Sequence, residues 1–169
     1  MKKYEMLPDE SGLYRIRALI DIPRYGVKAG DYGGFVETED NLSQEDDAWI
    51  TGDALITDNA WITGDARIGG NARIDGNAQI TGDARITGNA RITGDAIITA
   101  TQDYIVFKNF WSSGRYFTWT RSNNMWSVGC FYGAGDELIK KAYADSERSG
   151  REYERVVRYV ESILEDEKK

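Results

Sequence analysis

Basic and aromatic side chains lie close together between residues 104 and 132, and side chains of these types could bind a nucleotide. Ten of the 20 aromatic residues of the chain fall in this segment. An aromatic ring can stack on a base, and an arginine or lysine can pair with its phosphate. The candidate ligand-binding residues are Lys108, Arg115, Tyr116, Trp119, Arg121 and Trp126. The competing interpretation is that the rings form a hydrophobic core, which is the default for any single ring.

The chain contains no histidine and a single cysteine, Cys130. Histidine is the usual general base near neutral pH and the commonest metal ligand. Its absence excludes Ser-His-Asp triads, Cys-His pairs and histidine-ligated zinc sites. One cysteine excludes an internal disulfide, and Cys130 itself is predicted to be a small buried apolar residue. We therefore expect a protein that is not an enzyme and holds neither a metal nor a cofactor.

Acidic side chains outnumber basic ones by 28 to 21, which gives a net charge of −7. Residues 1–100 hold 10 basic and 17 acidic side chains, whereas residues 101–169 hold 11 of each. The density is highest in an acidic strip, which consists of Glu37, Glu39, Asp40, Glu45, Asp46 and Asp47. This strip could bind a basic partner protein, or it could simply be a solvated surface. The net charge disfavours duplex DNA, and no apolar run is long enough to span a membrane, so we expect a cytoplasmic protein.

A six-residue repeat precedes the aromatic segment and must position it. Asp or Asn followed by Ala recurs at positions 47, 53, 59, 65, 71, 77, 83, 89 and 95, and an Ile stands three residues after each of these positions. Ala and Ile, two residues apart, share one face of an extended strand, and the glycines between most units permit a corner. A six-residue period fits no helix, so the repeat predicts a solenoid of short strands that buries Ala and Ile.

The run Ile-Thr-Gly-Asp-Ala-Arg, found at 62–67 and 80–85, resembles the hexapeptide repeat of left-handed parallel β-helix proteins. The resemblance covers the 54 residues from 47 to 100 and implies three coils of 18 residues. The best-known members of this fold are acyltransferases and γ-type carbonic anhydrases, whose catalysis depends on histidines that this chain lacks. Many of them are trimers. The resemblance therefore implies the fold and a homo-oligomer, with a trimer favoured, but not the chemistry.

Four large apolar residues are predicted to point outward from the solenoid. Residues 18 apart stack in such a coil, so the outward columns are Trp49-Arg67-Arg85, Leu55-Arg73-Arg91 and Trp61-Gln79-Ile97. An exposed apolar residue at this level needs a cover. For Trp49, Leu55 and Trp61 in the first coil, the simplest cover is the N-terminal segment of the same chain, and for Ile97 in the last coil it is the C-terminal domain. The alternative is a partner or oligomer interface formed by Trp49, Leu55, Trp61 and Ile97.

The segments on either side of the repeat differ from it in composition. Residues 1–46 are predicted to be an N-terminal β cap, because apolar residues occupy every second position from Tyr14 to Ile20. Residues 101–169 are predicted to be a small α+β domain, with a three-stranded meander over 104–110, 115–121 and 125–131. A short helix capped by Asp136 and a second helix after Gly150 complete it. The expected fold class is mainly β, with a three-coil left-handed parallel β-helix over 47–100.

The flanking segments carry a second resemblance. The runs Arg-Ala-Leu and Lys-Ala-Gly-Asp-Tyr-Gly-Gly-Phe, which precede Asn41, resemble the leader of hexapeptide proteins from phages and prophages. This resemblance implies a non-enzymatic binding protein in the cytoplasm of an infected or lysogenic bacterium. Such a protein would inhibit host antiviral immunity by sequestering a nucleotide signal or an effector protein. The alternatives are a histidine-less acyltransferase-like enzyme and a structural or scaffold protein of a virion.

Overall fold

The computed structural model describes all 169 residues, and the chain begins with three antiparallel strands. These are β1 (Tyr4–Pro8), β2 (Tyr14–Ala18) and β3 (Tyr32–Val36), paired in that order. Ile16 and Ala18, two residues apart in β2, are both buried, as the alternating pattern predicts. β3 then joins this N-terminal sheet to the solenoid, because it also pairs in parallel with a strand of the repeat.

Nine two-residue strands follow, one for each hexapeptide unit. They are β4 (Trp49–Ile50), β5 (Leu55–Ile56), β6 (Trp61–Ile62), β7 (Arg67–Ile68), β8 (Arg73–Ile74), β9 (Gln79–Ile80), β10 (Arg85–Ile86), β11 (Arg91–Ile92) and β12 (Ile97–Ile98). Each of the first six strands pairs in parallel with the third strand after it, which produces three faces: β4-β7-β10, β5-β8-β11 and β6-β9-β12. Paired residues such as Arg67 and Arg85 are 18 apart. The Ala and Ile of every unit are buried and form the interior of the solenoid.

The corners between these strands depend on glycine. Gly70 has a φ of 62° and Gly88 a φ of 69°, which is the left-handed region that other residues rarely adopt. A Cβ atom on Gly70 would lie 2.8 Å from the backbone nitrogen of Gly88, because the corners of successive coils stack on each other. Such a corner therefore requires both the conformational freedom and the small size of glycine.

The solenoid has about four turns, so the predicted number of three coils is not confirmed. β3 pairs with β5, which places Val36 beside Ile56, and Leu42 forms a bridge with Ile62. These partners are 20 residues apart rather than 18, because the corner between Leu42 and Ile50 is two residues longer than the others. Val36 and Leu42 keep the six-residue apolar spacing but lack the Asp-Ala signal, which is why the repeat pattern did not reveal this turn.

Residues near the N-terminus form hydrogen bonds to the longer corner. Lys3 is buried and its Nζ donates to the carbonyl oxygens of Asp46 at 2.9 Å and Ala48 at 2.7 Å. Desolvation lowers the pKa of Lys3, and the neighbouring Asp46 carboxylate opposes this shift. The Tyr4 hydroxyl donates to the carbonyl oxygen of Leu42 at 2.7 Å. Buried polar groups of the N-terminus therefore satisfy backbone groups that the repeat would otherwise pair.

The C-terminal part is a four-stranded antiparallel sheet followed by two helices. The strands are β13 (Tyr104–Lys108), β14 (Tyr116–Thr120), β15 (Met125–Val128) and β16 (Phe131–Gly133), and the helices are α1 (Gly135–Asp145) and α2 (Glu147–Glu167). The sequence predicted a meander of three strands, whereas the sheet contains four. Gly129, with a φ of 56°, turns the chain after Val128 and divides the predicted third strand into two.

Both helices begin differently from the prediction. Ser146 caps α2 by accepting a hydrogen bond from the backbone nitrogen of Ser149 at 3.0 Å, so Gly150 lies inside the helix. There Gly150 packs against the ring of Tyr143 in α1, where a side chain would not fit. Asp136 is not the cap of α1, which follows Ala134 without a side-chain cap; it lies in the first turn, where a negative charge still stabilises the helix.

The two faces of the C-terminal sheet have different partners. One face packs on the helices in a cluster of Trp111, Phe117, Trp119, Trp126, Leu138, Ile139, Ala142, Tyr153, Val157 and Val160. The other face covers the last coil of the solenoid, where Tyr104 and Val106 pack on the solenoid core. The backbone nitrogen of Arg91 donates to Thr118 Oγ1 at 2.9 Å. The sheet thus protects the strand edges at this end of the solenoid. Neither α1 nor α2 could span a membrane.

Candidate functional site

The six candidate ligand-binding residues do not form one site. Lys108 and Tyr116 are cross-strand partners at one end of the C-terminal sheet, with Lys108 Nζ 5.9 Å from the centroid of the Tyr116 ring. Arg115 precedes Tyr116 in the chain, and all three side chains are exposed. The structure therefore brings these three residues to one edge and places the other three elsewhere.

Trp119 and Trp126 belong to the core between the sheet and the helices. Their exposed fractions are 0% and 2%. Trp119 Nε1 donates to Asn124 Oδ1 at 2.8 Å, and the Trp126 ring lies 5.8 Å from that of Phe107. A ring enclosed in this way has no free face on which a base could stack, so these two residues fit the hydrophobic-core interpretation.

Arg121 lies at the opposite end of β14 from Arg115. Its guanidinium pairs with Glu167 near the end of α2, lies 3.8 Å from Asp103 and donates to the carbonyl oxygen of Gln102 at 3.1 Å. Its Cζ atom also lies over the Trp119 ring, 5.5 Å from the ring centroid. These contacts join α2 to the sheet and leave little of the guanidinium for a ligand.

An open groove lies between the solenoid and the end of the sheet that carries Arg115. The groove has a volume of about 670 Å³. Its lining residues are Asn71, Arg73, Asn89, Ala90, Arg91, Arg115, Tyr116, Ser127 and Gly129. Three arginines and no acidic residue line it, in a chain whose net charge is −7. We call this the arginine groove. A second cavity, between α1 and α2, also has three lining arginines, but Glu154 lies among them, so only the arginine groove combines three arginines with no acidic residue.

Regular repetition places two of these arginines. Arg73 and Arg91 are paired residues of β8 and β11, so they stack in one outward column with the spacing of neighbouring strands, about 4.8 Å. Arg91 Nη1 donates to the carbonyl oxygen of Gly129 at 3.1 Å and its Nη2 lies 4.0 Å from Asp75. Arg73 and Arg115 form no ion pair. The sequence places Arg73 and Arg91 in one column but does not indicate that Arg115 will face them.

A smaller and more apolar pocket opens beside the groove. It has a volume of about 190 Å³, and Phe117, Leu138, Ala142 and Tyr153 are its buried lining residues. Its other lining residues are Ser113, Arg115, Tyr116, Val128, Gly129, Cys130, Phe131, Lys141 and Asp145. We call this the apolar pocket. It shares Arg115, Tyr116 and Gly129 with the arginine groove.

Cys130 is exposed at the apolar pocket, so its prediction as a buried residue is wrong. The prediction assumed that one strand runs through residue 130. Gly129 instead begins a turn between β15 and β16, and Cys130 lies on that turn.

Half of the acidic strip is engaged in contacts within the chain. Glu37 accepts from the backbone nitrogen of Asp58 at 2.6 Å, Glu39 pairs with Lys2 at 2.8 Å, and Asp46 pairs with Lys3 at 3.5 Å. The hydrogen bond from Lys2 lowers the pKa of Glu39. The remaining residues, Asp40, Glu45 and Asp47, have neither an ion pair nor a side-chain hydrogen bond. The strip therefore stabilises the first turn as well as carrying charge.

The four outward apolar residues have different surroundings. Trp49 is buried against Tyr4, with ring centroids 6.5 Å apart, so the N-terminal segment covers it. Leu55 is half-buried beside Phe35 of β3. Trp61 and Ile97 remain 49% and 46% exposed. Both lie on the face formed by β6, β9 and β12, whose outward column contains no charged residue.

Comparisons with known proteins identified no similar protein. The chain matches no protein-family model and no curated protein sequence.

Proposed function

We propose that this protein is a non-enzymatic binding protein that sequesters a nucleotide in the arginine groove. The observation that carries the proposal is the convergence of Arg73, Arg91 and Arg115 on a groove without an acidic residue. A planar guanidinium can donate two parallel hydrogen bonds to a phosphate, and it keeps its charge at any physiological pH. Arg73 and Arg115 have no ion-pair partner, so a bound phosphate would offset the repulsion between neighbouring arginines.

Tyr116 and Lys108 support a nucleotide rather than a simple anion. The Tyr116 ring is 45% exposed at the rim of the groove, where it could stack on a base or a ribose. Lys108 lies over that ring and adds a fourth positive charge near the rim. The amides of Asn71 and Asn89 can both donate to and accept from the sugar hydroxyls.

The biological setting of the proposal comes from the sequence resemblance. The solenoid is a left-handed β-helix of hexapeptide repeats, the protein comes from a phage or prophage, and it assembles as a homo-oligomer, with a trimer favoured. In this setting the bound nucleotide is a signal of host antiviral immunity, and sequestration inhibits that immunity in the cytoplasm. No residue of the groove needs to catalyse a reaction for this to work.

Isothermal titration calorimetry with ADP-ribose and a cyclic dinucleotide tests the proposal. We expect binding that weakens with salt, and about tenfold or greater loss for Arg73→Ala and for Arg115→Ala, since each removes a charged hydrogen-bond donor. Arg85→Ala is the matched control, because Arg85 is an exposed arginine on another face of the same solenoid. Absence of heat with every ligand, or equal losses for Arg85→Ala, would contradict the proposal.

A second candidate is that the acidic strip blocks a basic effector protein. It is favoured by Asp40, Glu45 and Asp47, whose carboxylates lack partners within the chain. Neutralising these three residues to Asn, Gln and Asn should abolish inhibition if the strip carries it, while leaving nucleotide binding intact. Inhibition that persists in this variant assigns the function to the arginine groove instead.

A further inference from the structure

The apolar pocket is built differently from the arginine groove. Its deepest residues are Phe117, Leu138 and Ala142, whose exposed fractions do not exceed 3%. Tyr153 closes it on the side of α2 and is held by Asn109, whose Nδ2 donates to the Tyr153 hydroxyl at 3.3 Å. The pocket is therefore lined by fixed, apolar and partly aromatic side chains, which is typical of a site for an uncharged ring.

Charged residues surround the opening of the pocket. Arg115 and Lys141 are donors and Asp145 is an acceptor, and all three are exposed. Lys141 Nζ lies 5.8 Å from the centroid of the Phe131 ring, so it is positioned over the lining rather than directed away from it. A ring whose edge carries both donor and acceptor atoms could satisfy these groups while its faces contact the apolar lining.

The pocket and the groove meet at the end of the C-terminal sheet. Arg115, Tyr116 and Gly129 line both, with the groove on the solenoid side and the pocket on the helix side. At about 190 Å³, the pocket is smaller than the roughly 300–1,000 Å³ of a site that encloses a whole drug-sized ligand. One part of a ligand could therefore enter the pocket while another part stays in the groove.

We infer that the apolar pocket holds the base of the nucleotide whose phosphates the arginine groove binds. This inference rests on the proposed function and specifies its ligand class: monomeric nucleotides or dinucleotides that present a free base, rather than sugar phosphates or inorganic polyphosphates. Arg115 lies between the two parts and contacts the phosphate side, while Lys141 and Asp145 contact the edge of the base.

Cys130 provides a direct measurement, because it is the only cysteine of the chain and is exposed at the pocket. The rate of its alkylation by iodoacetamide is measured with and without the common nucleoside 5′-diphosphates, ribose 5-phosphate and pyrophosphate. At saturating ligand, we expect at least one nucleoside diphosphate to slow alkylation about tenfold or more. Ribose 5-phosphate and pyrophosphate should bind the groove without protecting Cys130.

A pair of substitutions in α1 complements this measurement. Ala142→Leu fills the pocket, whereas Ala144→Leu adds the same side chain at an exposed position of the same helix. Ala142→Leu should lower the affinity for the protecting nucleoside diphosphate to that for pyrophosphate and leave pyrophosphate binding unchanged. Ala144→Leu should change neither. If Ala142→Leu fails to fold, the protection of Cys130 in the natural chain tests whether the base occupies the apolar pocket.

The outcomes separate the inference from the proposal on which it rests. Equal binding of nucleoside diphosphates and pyrophosphate, sensitive to Arg73→Ala but without protection of Cys130, overturns the base pocket and keeps the arginine groove as a phosphate site. Lack of binding by every probe overturns both. Protection of Cys130 that persists in Arg73→Ala and Arg115→Ala with undiminished affinity also overturns the inference, since the base would then bind without the groove.

Discussion

The solenoid and the C-terminal domain bury their apolar residues in two different ways. In the solenoid, a buried isoleucine such as Ile74 stacks on the isoleucines 18 residues before and after it. In the C-terminal domain, Phe117 contacts aromatic rings 9, 10 and 36 residues away, those of Trp126, Phe107 and Tyr153. A single spacing of 18 residues therefore describes the stacking of the nine units, whereas the contacts of the domain follow no period.

This difference divides the work at the candidate site. The repeat supplies Arg73 and Arg91 at a fixed spacing on a rigid scaffold, as stacked solenoids do for their outward side chains. The domain supplies Arg115, Tyr116 and the apolar pocket, which no repeated unit could produce. A regular surface of charge and an irregular cavity meet only because the sheet packs on the last coil of the solenoid, next to Arg91.

The largest expected effect tests whether equivalent positions of the repeat are energetically equivalent. Ile74→Ala and Ile80→Ala each remove a fully buried side chain flanked by isoleucines in the coils on both sides. Each should lower the free energy of unfolding by about 2–5 kcal/mol, and the two values should agree within about 1 kcal/mol. Denaturation in guanidinium chloride measures both.

Gln79→Ala is the control for this pair, because Gln79 precedes Ile80 and points outward. Its effect should stay within about 0.5 kcal/mol. If the free energies of unfolding of Ile74→Ala and Ile80→Ala differ by several kcal/mol, the coils are not energetically equivalent. The repeat would then not differ from the C-terminal domain in this respect.

A smaller effect on stability distinguishes the two reasons why a corner requires glycine, its positive φ and its small size. Gly70→Ala and Gly88→Ala both put a side chain at positive φ, which costs roughly 1–2 kcal/mol. Only Gly70 is also stacked against the next coil, whereas a Cβ on Gly88 would meet nothing within 4 Å. Gly70→Ala should therefore lower the free energy of unfolding by about 1–3 kcal/mol more than Gly88→Ala does, which is the usual cost of overpacking. Equal thermal denaturation midpoints for the two variants would refute stacking as the cause.

The smallest effect concerns pH and distinguishes the repeat from its ends. The interior of the nine units is formed by Ala and Ile, which have no group to titrate. The hydroxyls of Tyr4 and Tyr104 are partly or wholly buried at the two ends, and desolvation raises the pKa of both. A raised folded-state pKa means that their contribution to stability is complete below the unfolded value of 10.0 and is lost as the pH rises further.

The free energy of unfolding should therefore fall above about pH 10, by at most about 1.4 kcal/mol per pH unit for each tyrosine. Desolvation has the opposite effect on Lys3, because it disfavours the charged form of a base and lowers the pKa. The contribution of Lys3 to stability therefore increases as the pH rises towards the unfolded value of 10.5. Tyr4→Phe should flatten the alkaline decline, and urea denaturation at several pH values measures it. A decline of unchanged slope in Tyr4→Phe would place the sensitivity elsewhere.

Sequence alone was sufficient for the repeat. Nine matches at one spacing indicated the strands, the buried Ala and Ile, and the arginine column of Arg73 and Arg91, because successive units pair with copies of themselves 18 residues apart. The turn before the repeat was missed, since Val36 and Leu42 keep the apolar spacing without the motif. Apolar periodicity is a weaker signal than a repeated turn residue, and only the strand pairing reveals the additional coil.

The candidate site depended on the tertiary structure. Arginine and aromatic residues in one segment could not show that Trp119 and Trp126 would be buried, that Arg121 would pair with Glu167, or that Arg115 would face the solenoid. Neighbours in a strand point to opposite faces, and which face becomes core depends on where the helices and the solenoid dock. The sequence determined the types of side chain that could bind a nucleotide, whereas contacts between residues distant in the chain decided which of them surround a common space.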